Sequence, residues 1–329
     1  MIRLIRMLAL AGAIAMGLSS GLFAAELKIA LLCTGSVTDG GWNQLAKEGL
    51  DQVQRTLGAK ISILQKVSQE KAGDELRDYA AEGYDLVIAH GYEYLNPAAE
   101  AAKGAGKMRI AVCGADVARP GIATIDFDLS HASYQVGILA ARLSKTGKLG
   151  FIGGAEIPSV KACYRGFLAG ARSVRADITA AYTITGWDQP QQSKAQAEAL
   201  MSQGVDAIYH DVDAASRGVF EAIKEHNAKG GARAWVFGCV ADQNANPICA
   251  DAMPASAVIK LGDTFLTLAK SVQAGTFAPG LVHENIARGT CVLVLNPALI
   301  GTVISAELQA EITTAGRGLA AGQIAIPAQ

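Results

Sequence analysis

From residue 26 onward, short apolar runs alternate with longer stretches whose apolar positions recur at helical spacing. The runs at 27–33, 61–67, 86–89 and 110–113 have strand length, and the segments 41–57, 69–82 and 97–105 between them are amphipathic. Such a βαβ series forms a parallel sheet with right-handed crossovers, and its ligand-facing loops lie at the carboxyl ends of the strands. After a break at 125–128 the pattern repeats. Helices at 130–143, 160–174, 191–203 and 217–227 alternate with strands at 148–152, 180–185, 207–209 and 234–239. The fold class expected is therefore α/β, with two doubly wound parallel-sheet lobes joined by a hinge of several strands.

The boundaries follow from the same pattern. Residues 26–126 supply the first part of lobe 1, 127–239 supply lobe 2, and 240–300 form the hinge and the return to lobe 1. That last stretch holds a helix beginning near Ala257 and a strand-like run at 290–295 that carries the chain back. The Ala/Gly-rich tail at 301–329 receives no role. Two lobes joined in this way set their strand ends face to face across a cleft, and closure about a hinge around a small molecule is the usual use of that arrangement.

Residues 1–25 change the picture of where the chain works. Arg3 and Arg6 precede an apolar run from Met7 to Leu18, and small residues follow up to Ala24 and Ala25, which is the order of a secretory leader. The run is shorter than the roughly 20 residues that a spanning helix needs. No lipid-attachment cysteine follows it, so a periplasmic location is expected. The formal charge is −1, and loss of Arg3 and Arg6 makes it more negative, which argues against nucleic acid or an anionic membrane as partner. With charged residues at only 18% and hydrophobic ones at 50%, the chain is too apolar for disorder and suits buried parallel sheets.

Of the six cysteines, Cys33, Cys113, Cys163 and Cys291 read as buried thiols, while Cys239 and Cys249 bracket a polar loop and form the favoured pair for a disulfide. No C-x-x-C spacing is present, so no metal site is expected, and no cofactor either. No G-x-x-x-x-G-K-[ST] or G-x-G-x-x-G follows a strand, and no Gly-x-Ser-x-Gly elbow occurs. None of the five histidines stands at metal-ligand spacing from another. The chain is expected not to be an enzyme; a nucleoside-cleaving hydrolase is the rival, and a ligand-sensing ectodomain is a third reading.

The candidate chemistry sits at strand ends. The loop after the first strand reads Thr34-Gly35-Ser36-Val37-Thr38-Asp39-Gly40-Gly41-Trp42-Asn43, which brings a large aromatic and polar groups to the start of a helix. Trp42 is either a stacking surface or a core residue packing that helix on the sheet. Asp39 is either a ligand or a helix cap. The second lobe offers a matching loop, Thr185-Gly186-Trp187-Asp188, so two tryptophans, one per lobe, stand where they can sandwich a planar ring. Asn43, Asn96, Asp211 and Asp213 lie at strand ends to select polar substituents, and Tyr92 adds an aromatic after the third strand.

These residues resemble the basic membrane protein family of transporter substrate-binding proteins, which take up purine nucleosides or purine bases. The resemblance rests on Val37-Thr38-Asp39-Gly40-Gly41-Trp42-Asn43, on the run from Lys145 to Gly154, on Gly166-Phe167 with Gly170-Ala171, on Gly186-Trp187-Asp188, and on Gln203-Gly204-Val205-Asp206-Ala207-Ile208. It implies a monomer that delivers a purine nucleoside, or alternatively a purine base, to the membrane subunits of an ABC importer. By the same resemblance Trp42 and Trp187 hold the base, with Asp39 and Asn43 beside it, and Asn96 replaces a family acid near the purine edge. Asp242 accepts from ribose hydroxyls with Lys260 as its basic partner, which favours a nucleoside. The segment His210-Asp211-Val212-Asp213 departs from the nucleoside-binding branch and resembles the base-binding one.

Overall fold

The computed structural model describes residues 26–327; the proposed leader lies outside them. Among the described residues no helix is long and apolar enough to cross a membrane.

Two six-stranded sheets form the core of the two lobes. The first contains β1 (Lys28–Cys33), β2 (Lys60–Leu64), β3 (Leu86–His90), β4 (Arg109–Cys113), β5 (Ala123–Phe127) and β11 (Gly280–Glu284), in the order β11-β5-β4-β3-β1-β2 and wholly parallel. Its helices are α1 (Trp42–Leu57), α2 (Gln69–Ala81), α3 (Leu95–Ala102) and α8 (Leu261–Gln273). The second sheet contains β6 (Lys148–Gly153), β7 (Thr179–Ile184), β8 (Ala207–Asp211), β9 (Trp235–Val240), β10 (Ala255–Ile259) and β12 (Cys291–Leu295), in the order β12-β10-β9-β8-β6-β7. Only β12 runs antiparallel there, against β10. Its helices are α4 (Ser130–Leu143), α5 (Pro158–Val174), α6 (Pro190–Ser202), α7 (Ser216–Ala228) and α9 (Ala306–Ala320).

The central strands are buried on both faces. β3 and β8 are buried throughout and read Leu-Val-Ile-Ala-His and Ala-Ile-Tyr-His-Asp, the near-continuous apolar runs that helices on both sides demand. α4 is buried from Ser130 to Ala141 apart from His131, because α5, α9 and the second sheet surround it; it therefore shows no polar stripe. Glycines let α5 approach α4 closely: a Cβ on Gly166 would meet the carbonyl of Ser130, and one on Gly170 that of Tyr134.

The chain passes between the sheets after β5, after β10 and after β11. Two expectations are corrected here. The run at 290–295 does not return to the first lobe: it forms β12 in the second sheet, and β11 makes the return. β11 is an edge strand in which only Glu284 is buried, so its apolar pattern is weak and the more apolar β12 draws attention instead. The tail is not without place either. α9 docks on α4, where Gln135 Nε2 donates to the carbonyl of Ile312 at 2.9 Å and Arg142 pairs with Glu311.

All six cysteines are free and buried, so Cys239 and Cys249 are not joined. The Cys239 thiol lies 3.1 Å from the Tyr209 hydroxyl, whereas Cys249 packs in a separate apolar cluster with Met253 and Ile223.

Candidate functional site

The strand ends of the two sheets face one another across a cleft of about 440 Å³, a size ordinary for small-ligand sites. Its first wall is built by the loop after β1. Asp39 caps α1 from outside the helix: Oδ1 accepts from the amides of Gly41 and Gln44, both at 3.0 Å, and Oδ2 accepts from the amide of Asn43 at 3.1 Å and from its Nδ2 at 2.8 Å. The carboxylate thereby satisfies amides at the start of the helix. Asn43 in turn accepts from the Gly35 amide at 3.2 Å through Oδ1. This network holds the loop rigid and sets the direction of the next side chain, Trp42.

The Trp42 ring stacks on His90, with centroids 3.8 Å apart and planes 20° from parallel, and meets Phe127 edge-on at 6.0 Å. Burial holds the His90 ring neutral, its pKa pushed down to about 3, so Nε2–H donates to the Trp42 carbonyl at 3.0 Å. His90 thus fixes Trp42 from behind through both ring and backbone. Nothing in the sequence pairs His90 with Trp42.

Trp187 enters from the loop after β7. Its six-membered ring lies flat against Gly154, where any Cβ would overlap it, so the glycine supplies the shelf on which the indole rests. Trp42 and Trp187 both line the cleft and are half-buried. Asp211 ends β8 and Asp213 follows it; both line the same cleft and are buried. Asp213 reaches across to the first lobe, its Oδ1 accepting from the Trp42 amide at 2.9 Å. Burial pushes its carboxyl up to about 8, with Asp39 adding to the rise and the Trp42 amide opposing it. Burial raises Asp211 to about 6, against the thiols of Cys239 and Cys163, which hydrogen-bond its ionised form. At neutral pH the two neighbouring acids therefore differ: Asp213 keeps its proton and Asp211 has lost it.

Of the residues singled out from sequence, Trp42, Asn43, Tyr92, Trp187, Asp211 and Asp213 come together on the cleft wall, Tyr92 at its exposed rim. Asp39 lies behind the wall as a cap. Asn96 is exposed on α3 and away from the cleft. Asp242 and Lys260 are also exposed and off the wall. The backbone turns at Val240, a β-branched residue at φ +68°, and leads Asp242 outward, where it accepts from the Asn244 amide. Lys260 faces a groove between α1 and α8 instead. The wall also contains Phe127, Val160, Cys163 and Val240, which sequence reasoning missed. Phe127 falls at the break in the repeat, which is the one signal available; Cys163 sits mid-helix with none.

Residues 26–292 match the family described as ABC transporter substrate-binding protein PnrA-like (Bmp). A CD4+ T-cell-stimulating antigen of Listeria monocytogenes is 30% identical over 64% of the chain, a match that spans 61% of that protein's length. An ABC transporter nucleoside-binding protein of Lactococcus lactis is 25% identical over 94% of the chain and 92% of its own length. A purine-binding protein of Brucella abortus is 24% identical over 77% and 70%. In fold, the crystal structure of an ABC transporter solute-binding protein from Aeropyrum pernix superposes with a TM-score of 0.81 over 92% of the chain and 94% of its own, at 21% identity. The family is one of substrate-binding proteins and not of enzymes. With a family match over most of its length and the two-lobed architecture around a ligand-sized cleft, the chain belongs to the Bmp family of PnrA-like ABC transporter substrate-binding proteins.

Proposed function

We propose that the protein binds a purine-type solute outside the cytoplasm, as a periplasmic monomer, and delivers it to the membrane subunits of an ABC importer. The observation that carries this reading is the meeting, in one cleft, of a tryptophan ring from each lobe with two buried acids from the second lobe. A planar ring entering between Trp42 and Trp187 gains stacking on the order of 1 kcal/mol per face beyond the area it buries. Direction within the plane comes from the acids. Asp211, ionised at neutral pH, accepts from a ring N–H, and Asp213, protonated, donates to a ring nitrogen or carbonyl. A donor and an acceptor side by side suit the edge of a nitrogen heterocycle, and the names of the Lactococcus and Brucella relatives support the purine class.

A nucleoside is the second reading. It is favoured by a second compartment of about 410 Å³ that shares Tyr92, Phe127 and Ile157 with the first and is rimmed by Asp116, Asp128 and Arg165. Sugar hydroxyls would find polar partners there. Calorimetric titration with purine bases, nucleosides, sugars and amino acids tests both readings. Saturable binding of a base or nucleoside is expected; binding of a sugar or amino acid but no purine overturns the proposal. Release of free base from a bound nucleoside at an enzymatic rate would overturn the binding-only role.

A further inference from the structure

Behind the ring-binding wall, three side chains from separate elements converge. Cys163 Sγ from α5, a carboxylate oxygen of Asp211 at the end of β8 and Cys239 Sγ from the neighbouring strand β9 all lie within 4.8 Å of one another. All three residues are buried, and Cys163 and Asp211 also line the cleft. Among the described residues this is the one group of three such donors.

The geometry points to a metal site at the floor of the cleft, in which Cys163, Asp211 and Cys239 bind one thiolate-preferring divalent cation of the zinc(II) class. Two soft sulfurs and one carboxylate select zinc or cadmium over magnesium or calcium, which require oxygen cages. Donors around a tetrahedral zinc stand about 3.6–3.8 Å apart, from zinc–sulfur lengths of about 2.3 Å and zinc–oxygen lengths of about 2.1 Å. The donor separations therefore need to shorten by at most about 1.2 Å. Three protein donors leave a fourth position, which opens on the cleft and gives both an entry path and a place for water.

The surroundings suit the ion as well. Tyr209 Oη lies 3.1 Å from Cys239 Sγ and 2.9 Å from Ser133 Oγ, so a relay from Ser133 through Tyr209 can donate to the thiolate once it has formed. Without an ion, burial pushes the Cys239 thiol well above its ordinary value, so binding must displace the thiol protons. Two protons leave as two sulfur–metal bonds form, and no electron is transferred. Residue spacing gives no hint of this site, because it arises only where a helix crosses two adjacent strand ends; the expectation of no metal rested on local spacing alone.

The test uses the full chain, reduced and stripped of metal with a chelator, without added solute. Anaerobic titration with cadmium should raise a thiolate-to-metal charge-transfer band that saturates at one ion per chain. Zinc calorimetry in buffers of different ionisation enthalpy should report about two protons released per ion. Cys163→Ser and Cys239→Ser should each weaken binding by at least about 100-fold, and Tyr209→Phe by about 10-fold. X-ray absorption of the loaded wild-type protein should count two sulfur neighbours, a readout that needs no variant to fold. The inference is overturned if the reduced protein shows no stoichiometric band, if the band survives in the cysteine variants, or if absorption finds no sulfur. It is also overturned if Cys163 and Cys239 form a disulfide that resists reductant. Because no purine enters these measurements, their failure leaves the solute reading untouched.

Discussion

Asp213 joins the lobes, and its protonation should govern how firmly they meet. Its carboxyl rises from 3.8 to about 8 when burial places it beside Asp39, Asp211 and Asp188, against only the Trp42 amide as a stabilising donor. When the chain unfolds, or the lobes part, the carboxyl regains its ordinary value. Between those two values the folded state holds a proton that the unfolded state has released, so the Asp213 contribution to stability falls as pH rises and levels off above about pH 8. Asp211, raised to about 6, contributes in the same sense only below that value. Above about pH 6 Asp213 contributes a fall of up to about 1.4 kcal/mol per pH unit, opposed up to about pH 7 by His90 and His210, whose burial lowers them to about 3 and about 4 so that the unfolded chain binds their protons more strongly. Between about pH 6 and about pH 8 the Asp213 contribution alone falls by about 2 kcal/mol, which for a chain of this size corresponds to roughly 4 °C in Tm and is isolated as the difference between wild type and a variant that lacks the carboxyl, since the histidine contribution is common to both. The informative variant is Asp213→Asn, which keeps an oxygen to accept from the Trp42 amide while removing the titration. Thermal melting across this range should show the wild type losing stability relative to the variant, whose own profile rises with the two buried histidines, and small-angle scattering should show the wild-type lobes opening as pH rises. If the wild-type and variant profiles are parallel, Asp213 does not carry the effect and the reasoning from its burial fails.

Four further outcomes follow from the site and the packing. Trp42→Ala and Trp187→Ala should each weaken purine binding by about 10- to 100-fold in calorimetry, from lost stacking and buried area; an unaffected Trp187→Ala would remove the second lobe from the clamp. Gly154→Val should push the Trp187 ring off its shelf and weaken solute binding by about 10-fold with little change in melting, and unchanged affinity would refute the shelf. Gly170→Ala brings a methyl against the Tyr134 carbonyl at the α4–α5 contact and should cost about 1–3 kcal/mol in urea unfolding; a neutral result would mean the helices part freely. Asp242→Ala, exposed and off the wall, should change affinity by less than about twofold. A large and selective loss of nucleoside binding would instead restore its role toward ribose.

The fold was legible wherever burial imposed a strong period. β1, β3, β6 and β8 are apolar on both faces, and most of the helices between them, α4 excepted, have one apolar side, so alternation alone orders both lobes. It failed at the margins. β5 hid as a break because Asp126 interrupts it, and β11 hid because an edge strand need bury little. α9 hid because an Ala/Gly-rich helix packs through closeness rather than bulk, its Gly316 lying against Gln135. The site divides on similar lines. Trp42, Trp187, Asp211 and Asp213 are readable because a parallel sheet sends its strand ends to the cleft. Asp242 and Lys260 also follow strand ends closely, and Asn96 lies in α3, but the local backbone direction, as at the turn of Val240, leads them away from the wall, and no periodicity reports such turns. His90 and Cys163 act through neighbours distant in sequence, a relation visible only once the chain has folded.

The passage of the chain between its sheets has a consequence for how the protein comes into being. β5 finds its outer partner β11 only after the whole of β6 to β10 has intervened, with Ala123 opposite Gly280. During synthesis the first sheet keeps an open edge while most of the second lobe is being made, and neither lobe corresponds to one continuous stretch of chain. Contacts of such long sequence separation are slow to form, and an open edge invites pairing with other chains. Maturation is therefore gated by the arrival of the last 50 or so residues, and a truncation there should yield a soluble first half less often than an aggregate.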